Sequence, residues 1–257
     1  MSLTPKKSLG QHFLIDEHVA ENIVHQLDGF DFSDLIEVGP GKGVLTKYLR
    51  KTFGDKLIAV EFDERMVEHL HRMFPELKER ILEKDFLEFD WSMLLKTPVA
   101  VIGNFPYNIS TEIVFKILDN KDKVNVVVGM FQKEVAKRIC ALYNNKDYGI
   151  TSIITQAFYD ADYLFDVMPE SFSPPPKVTS GVIRLVRKQP PLSIINENIF
   201  RQLVKKAFSQ RRKMLSNALK GFEGIEAAIP EEFKNKRAEQ LSVQDFIEIS
   251  NRLAAGK

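Results

Sequence analysis

Cysteine is nearly absent from this chain. Cys140 stands alone among 257 residues, which excludes an internal disulfide and fits a reducing, cytoplasmic setting. It lies in the helix-like run FQKEVAKRICALY, where it reads as a small core residue and not a nucleophile. Long apolar runs are missing too: none approaches the roughly 20 residues needed to cross a bilayer. The opening MSLTPKKSLGQHF carries charges with no apolar stretch behind them, so no secretory signal is expected. The five histidines are scattered, and His69 and His71, two apart on an expected helix, face different ways; no metal site is expected. Net charge is small as well, at +1, but it hides an asymmetry. Residues 1–187 carry 23 Lys/Arg against 27 Asp/Glu, whereas residues 188–257 carry 13 against 8. A basic module on a mildly acidic body suggests a polyanionic partner, although a solvated helical surface gives the same count.

What is present is an alternation. LIEV (35–38), LIAVE (57–61), RILEKD (80–85), AVIGN (100–104) and VNVVVGMF (124–131) read as strands, while GVLTKYLRK, ERMVEHLHRMF and STEIVFKIL have helical spacing. Unbroken Ile/Val runs fit strands covered on both faces, and the alternation predicts an α/β fold with a parallel sheet. Helices are expected over 132–144 and near 150–158. The run DYLFDVMPESFSPPPKVTSGVIRLVRK then reads as an antiparallel closing pair around a proline-rich turn. At KQPPL the pattern changes: NENIFRQLVKKAFSQRRKMLSNALKGF and EEFKNKRAEQLSVQDFIEISNRLAA are helical in period, and Ser242 with Asp245 resembles a capped helix start. The boundary falls near 187–190, giving domains 1–187 and 188–257, the second small and all-α.

IEVGPGKGVLT places Gly39, Gly41 and Gly43 between the first strand and a helix, where glycine lets the backbone turn tightly and approach a ligand. The spacing is G-x-G-x-G. Val44 stands where a dinucleotide fingerprint needs glycine, and Lys42 is not followed by Ser or Thr, so neither a pyrophosphate cradle nor a P-loop is expected. Glu61 closes the second strand, where an acceptor reaches ribose hydroxyls, and Asp85 closes the third, where it can accept from an adenine amino group. Three strand ends offering such groups suit a nucleoside without a diphosphate, and S-adenosylmethionine fits.

The fourth strand ends in GNFPY. An adenine N6 amine is a poor nucleophile because its lone pair is delocalised into the ring. Acceptors on both N–H bonds draw the nitrogen toward tetrahedral geometry and localise that pair. The Asn104 side-chain oxygen and the Phe105 carbonyl can supply them, with Pro106 holding the turn and Tyr107 stacking on an extruded base. A proline turn whose Tyr and Asn cap the next helix accounts for the same four residues, but not for the glycine turn and acids upstream.

These motifs, in this order, resemble the KsgA family of ribosomal RNA adenine N6,N6-dimethyltransferases nearly end to end. The resemblance implies a Rossmann-like S-adenosylmethionine-dependent methyltransferase sheet with a small helical domain. KKSLGQHFL resembles the family's first cofactor motif, so His12 and Leu14 are expected at the methionine end of the cofactor, with Gly39, Gly41, Gly43, Glu61, Asp85 and Asn104 elsewhere on it. SFSPPPKVTSGVIRL resembles another signature, implying that Phe172 stacks on the target base opposite Tyr107. KKAFSQRRKMLSNAL is similar to the family's characteristic helix, implying that Lys205, Lys206, Arg211, Arg212 and Lys213 contact RNA phosphates. Two substitutions depart from the common pattern: His12 stands where Asn is frequent, and Phe105 where Leu is common. The implied substrate is a pair of adjacent adenosines near the 3′ end of small-subunit (16S) ribosomal RNA. The expected partner is the small ribosomal subunit or an assembly intermediate, met by a cytoplasmic, monomeric protein with a role in subunit biogenesis and no membrane contact. Two rivals stay open, a large-subunit methyltransferase of the macrolide-resistance type and an assembly factor with secondary catalysis.

Overall fold

The computed structural model describes residues 3–5, 10–94 and 97–256. Residues 6–9 of the KKSLGQHFL run lie outside them. The chain forms two compact units: one runs up to Ala136 and includes Asp162–Arg187, the other joins Lys137–Ala161 to the chain from Lys188 onward. The chain thus passes from the first unit to the second at Arg187/Lys188, and the second unit also takes in 137–161. The reason is packing, since the helix at Ile150–Gln156 lies against the helix at Glu197–Ser209.

The first unit is built on β1 (Phe13–Leu14), α1 (Glu17–His25), β2 (Asp34–Val38), α2 (Val44–Phe53), β3 (Leu57–Glu61), α3 (Glu64–Met73), β4 (Ile81–Glu83), β5 (Val99–Asn104), α4 (Ser110–Asp119) and β6 (Val124–Gln132). The chain continues through α5 (Lys133–Cys140), α6 (Ile150–Gln156), β7 (Tyr159–Val167), β8 (Phe172–Ser173) and β9 (Ser180–Arg187). The main sheet has the order β4-β3-β2-β5-β6-β9-β7. Its first five strands are parallel, and β9 joins β6 antiparallel. Val99, Ala100, Val101 and Ile102 of β5 are completely buried, as a strand covered on both faces requires. Burial of each Val or Ile side chain among them contributes about 1.5–3 kcal/mol. Local signals set the helix starts: the Asp16 carboxylate caps α1 by accepting from Val19 N at 3.2 Å, and Asp63 caps α3. Strand order reverses between β2 and β5, so their carboxyl ends flank the crevice where open α/β sheets bind ligands.

The second unit holds α6, α7 (Glu197–Ser209), α8 (Leu215–Ala218), α9 (Ile225–Ala228), α10 (Glu231–Lys234) and α11 (Val243–Ala255). Ser242 and Asp245 form the expected reciprocal cap of α11, with bonds of 3.2 and 2.8 Å. The two long helical runs are broken, however. Helix α7 stops at Ser209, and QRRK forms a turn closed by Lys213 N donating to Gln210 O. Met214 then pairs with Arg237 in an antiparallel bridge, and Leu215 N donates to Lys236 O. That pairing satisfies backbone groups that a continuous helix would otherwise bond internally. Cys140, at the end of α5, is half-buried and not a core residue. Among the described residues no helix is long and apolar enough to cross a membrane.

Candidate active site

A cavity of about 290 Å³ opens beside the ends of β2, β3, β4 and β5. His12, Leu14, Gly39, Gly41, Glu61, Asp85, Asn104, Phe105, Pro106 and Tyr107 all line it. Residues from five separate segments therefore meet where the strand order reverses.

On the β2–β3 side the groups are charged and buried. Gly39 and Gly41 have φ of +66° and +55°, a region that favours glycine, and a Cβ on Gly41 would sit 3.0 Å from the Phe13 ring. The Glu61 carboxylate fastens the turn: Oε2 accepts from Gly41 N at 3.0 Å and Oε1 from Asp63 N at 2.9 Å. Burial raises the Glu61 carboxyl above the usual range, while these backbone bonds pull it back. Asp63 is itself held by Arg65 at 2.6 Å and by Gln11 Nε2 at 3.2 Å, tying the N-terminal segment to the end of β3. Asp85 Oδ1 accepts from Leu87 N at 2.8 Å, which turns the chain out of β4.

Glu37 and Phe62 are among the lining residues that the sequence-based expectations did not include. Glu37, one residue before the end of β2, is 1% exposed; its Oε2 accepts from Thr46 Oγ1 at 2.7 Å, and its Oε1 has no partner. Burial pushes its carboxyl up to about 8, opposed by the Thr46 bond and helped by the Glu61 charge. A lone carboxylate inside the apolar run LIEV was the available signal. Phe62 lines the same cavity while 62% exposed, an apolar face left open to a ligand. The donor set fits a cationic nucleoside. The Glu61 charge adds to the cost of ionising Glu37, whose buried Oε1 has no hydrogen-bond partner among the described residues, and a positive group beside it would relieve both.

On the β5 side the groups are neutral. Asn104 Nδ2 donates to the His12 carbonyl at 3.0 Å. A carbonyl can only accept, so the amide nitrogen is fixed on His12 and Oδ1 is turned away from it, free to accept. The His12 ring stacks on Tyr107 with centroids 5.6 Å apart, and its Nδ1 bonds the Pro174 carbonyl at 2.9 Å. The Tyr107 hydroxyl meets Ser180 Oγ at 2.5 Å, which fixes the ring from its far end. Phe105 is completely buried, so it brings its backbone to the cavity and its ring to the core.

Three of the expected site residues are placed differently from the rest. Phe172 is 2% exposed and belongs to the main core, because β8 pairs antiparallel with β1 and sets Phe172 opposite Leu14, so its ring is covered and not an open face for a base. The ring against Tyr107 is that of His12. Gly43 does not line the cavity; a Cβ there would lie 2.7 Å from Phe74 and 3.0 Å from Leu70, so its role is to let α2 pack on α3. In the basic module, Arg211 is engaged internally, with Nε 2.6 Å from Glu239 and an Nη donating to Lys146 O at 2.7 Å. Lys205, Arg212 and Lys213 are exposed, and Lys206 is half-buried.

Comparisons with known proteins point to one family. The family model described as ribosomal RNA adenine dimethylase matches residues 3–255. A protein of Cytophaga hutchinsonii named ribosomal RNA small subunit methyltransferase A is 48% identical over 250 residues, 97% of each chain. Its namesake in Parabacteroides distasonis is 45% identical over 249 residues, 96% of this chain and 92% of the relative. Among solved structures, a dimethyladenosine transferase from Plasmodium falciparum superposes with a TM-score of 0.78 at 24% identity, covering 93% of this chain and 96% of that one. The 23S rRNA methyltransferase ErmE gives 0.72 at 22% identity, over 94% and 99%. These last two likenesses concern the fold. Matched along almost its whole length, and gathering buried carboxylates and an oriented amide at its strand ends, the chain belongs to the ribosomal RNA adenine dimethylase family.

Proposed function

We propose that this protein dimethylates N6 of two adjacent adenosines near the 3′ end of small-subunit ribosomal RNA, using S-adenosylmethionine. The observation that carries the mechanism is the Asn104 amide, whose nitrogen is held by the His12 carbonyl so that its oxygen is offered to the cavity. The cofactor supplies a methyl group on a sulfonium. The unpartnered Glu37 Oε1 suits its ammonium group, and Glu61 and Asp85 suit the ribose hydroxyls and adenine amine. Phe62 offers the purine an apolar face. Gly39 and Gly41 let the backbone approach it without a Cβ in the way.

Asn104 Oδ1 and the Phe105 carbonyl accept the two N6 hydrogens of the target base, localising the nitrogen lone pair and aiming it. Tyr107, anchored by Ser180, stacks on the extruded base, and the His12 ring yields that face to it. The protein need supply no strong base, because the proton becomes acidic once nitrogen is alkylated. Orientation supplies most of the rate. For the second transfer to the same nitrogen only one N–H remains to be held, so the monomethylated base must rotate or rebind.

Lys205, Lys206, Arg212 and Lys213 are the surface set for RNA phosphates, which position the substrate without reading its sequence. Arg211 serves them by bracing their turn. The small-subunit assignment rests on the relatives bearing that name; with it goes our reading of a cytoplasmic monomer that acts on the small subunit or its assembly intermediate. Purified small and large subunits offered methyl-labelled cofactor test it. Label in small-subunit RNA, on two adenosines, is the expected result, and label confined to large-subunit RNA would overturn the assignment.

A further inference from the structure

The ring of Phe105 has an unusual seat. It is completely buried and meets Phe131 edge to face, with centroids 5.1 Å apart and planes at 84°. The room for it comes from Gly103 on β5 and Gly129 on β6, which stand directly opposite one another in the parallel register. A Cβ on Gly129 would lie 2.6 Å from Phe105 Cε2 and 2.6 Å from Phe131 Cε2. A Cβ on Gly103 would lie 2.8 Å from the Phe105 ring and 2.5 Å from the Val38 carbonyl oxygen. Neither glycine has a positive φ, so the backbone does not ask for glycine at either position; the space does. The Phe105 N–H is fixed as well, donating to Met130 O at 3.2 Å.

We infer that Gly129 is a positioning residue for methyl transfer, because the slot it opens seats the Phe105 ring and thereby aims the Phe105 carbonyl and the adjoining Asn104 amide. Ring and N–H are gripped by β6 on two sides, so the intervening peptide has little freedom left. A side chain at 129 meets the Phe105 and Phe131 rings at equal distance and presses on the packed pair, and the Phe105 ring is one bond from the Cβ next to the Cα that carries the carbonyl. Cofactor groups on β2, β3 and β4 are untouched by this movement. The inference rests on the acceptor-pair reading proposed above.

The test compares Gly129→Ala, Phe105→Leu, their double variant, Gly103→Ala and Asn104→Ala in the full chain. Each is measured for kcat, RNA KM, cofactor affinity by calorimetry, and Tm. Gly129→Ala is expected to lower kcat about 100-fold, the cost of an ångström-scale misplacement, with cofactor affinity within about threefold of the parent. Phe105→Leu added to Gly129→Ala should restore kcat to within about threefold of Phe105→Leu alone, since a smaller side chain frees room for both the new methyl and Phe131. It should not rescue Gly103→Ala, whose Cβ meets the Val38 backbone. Parental kcat in Gly129→Ala overturns the inference, and so does a loss of kcat that Phe105→Leu fails to repair. Loss of folding in Gly129→Ala together with a folded but inactive double variant overturns it too. Asn104→Ala separates the two readings: if that variant keeps parental turnover the acceptor pair itself is wrong, whereas its inactivity beside a fully active Gly129→Ala removes this inference alone.

Discussion

The two sides of the cavity are built from opposite materials. The β2–β3 side sets two buried carboxylates, Glu37 and Glu61, around a glycine turn. The β5 side offers only neutral oxygens, held by a backbone carbonyl, a serine hydroxyl and an aromatic slot. The difference follows the charges of the two reactants. A sulfonium nucleoside with a free ammonium is a cation, and buried carboxylates attract it because each is costly to ionise alone. An exocyclic amine is neutral and must be oriented before it will attack, and for that a correctly aimed amide oxygen suffices. On the proposed reading, charge binds on one side and geometry activates on the other.

The comparison breaks most sharply at Asn104. Asn104→Ala removes one acceptor and the bond to His12, and kcat is expected to fall by about 10²–10³, while calorimetric affinity for cofactor changes by no more than about tenfold. Equal losses in both would make Asn104 a cofactor ligand and not an activator. Glu37 provides the opposite case. Glu37→Gln is expected to weaken cofactor binding by about 10–100-fold, as removal of a charge-assisted hydrogen bond does, with kcat at saturation little changed.

Glu37 also gives that prediction a pH signature. Between about 4.5 and about 8 the folded protein holds a proton on Glu37 that the unfolded chain has released, so this group's contribution to stability falls as pH rises through the window. Glu37→Gln should therefore gain Tm relative to the parent from about pH 5 to about pH 8. Over the same range the parent's cofactor affinity should rise as the carboxylate becomes available, and that of the variant should stay flat. A parent affinity independent of pH would place the cofactor's ammonium elsewhere.

Smaller effects sharpen the picture. Tyr107→Phe keeps the stacking face and loses the Ser180 bond, so kcat should drop by about three- to tenfold in multiple-turnover assays. In the basic module, Arg212→Ala with Lys213→Ala should weaken RNA binding and reduce the slope of log affinity against log salt by about 1 for each phosphate that is no longer neutralised. Arg211→Ala should instead lower Tm by about 3 °C, because that guanidinium is engaged with Glu239 and the Lys146 carbonyl.

Those contrasts mark what was legible in the sequence. The parallel strands were, because a strand covered on both faces needs an unbroken apolar run, and β5 spells one. That Gly39, Gly41, Glu61, Asp85 and the N-F-P-Y corner come together at one cavity was legible because they stand at the ends of neighbouring strands. The misses share one cause, dependence on a distant partner. Phe172 is buried by a two-residue pairing with β1, too short to leave a periodic trace. Helix α7 stops at Ser209, five residues before residue 214 pairs with residue 237, a pairing that no local propensity announces. Gly43 has the spacing of a ligand glycine, but the rings and methyls it makes room for, Phe74 and Leu70, come from α3 and its C-terminal end. Glu37 was the one omission that local reasoning could have repaired, a carboxylate in a strand with no polar neighbour.

The most direct test is a crystal structure of the protein with an unreactive cofactor analogue and an adenosine-bearing RNA fragment. The account predicts Asn104 Oδ1 and the Phe105 carbonyl each about 2.7–3.2 Å from N6, with Asn104 Nδ2 still donating to the His12 carbonyl. An amide turned over, its nitrogen toward N6 and its bond to His12 broken, would contradict it.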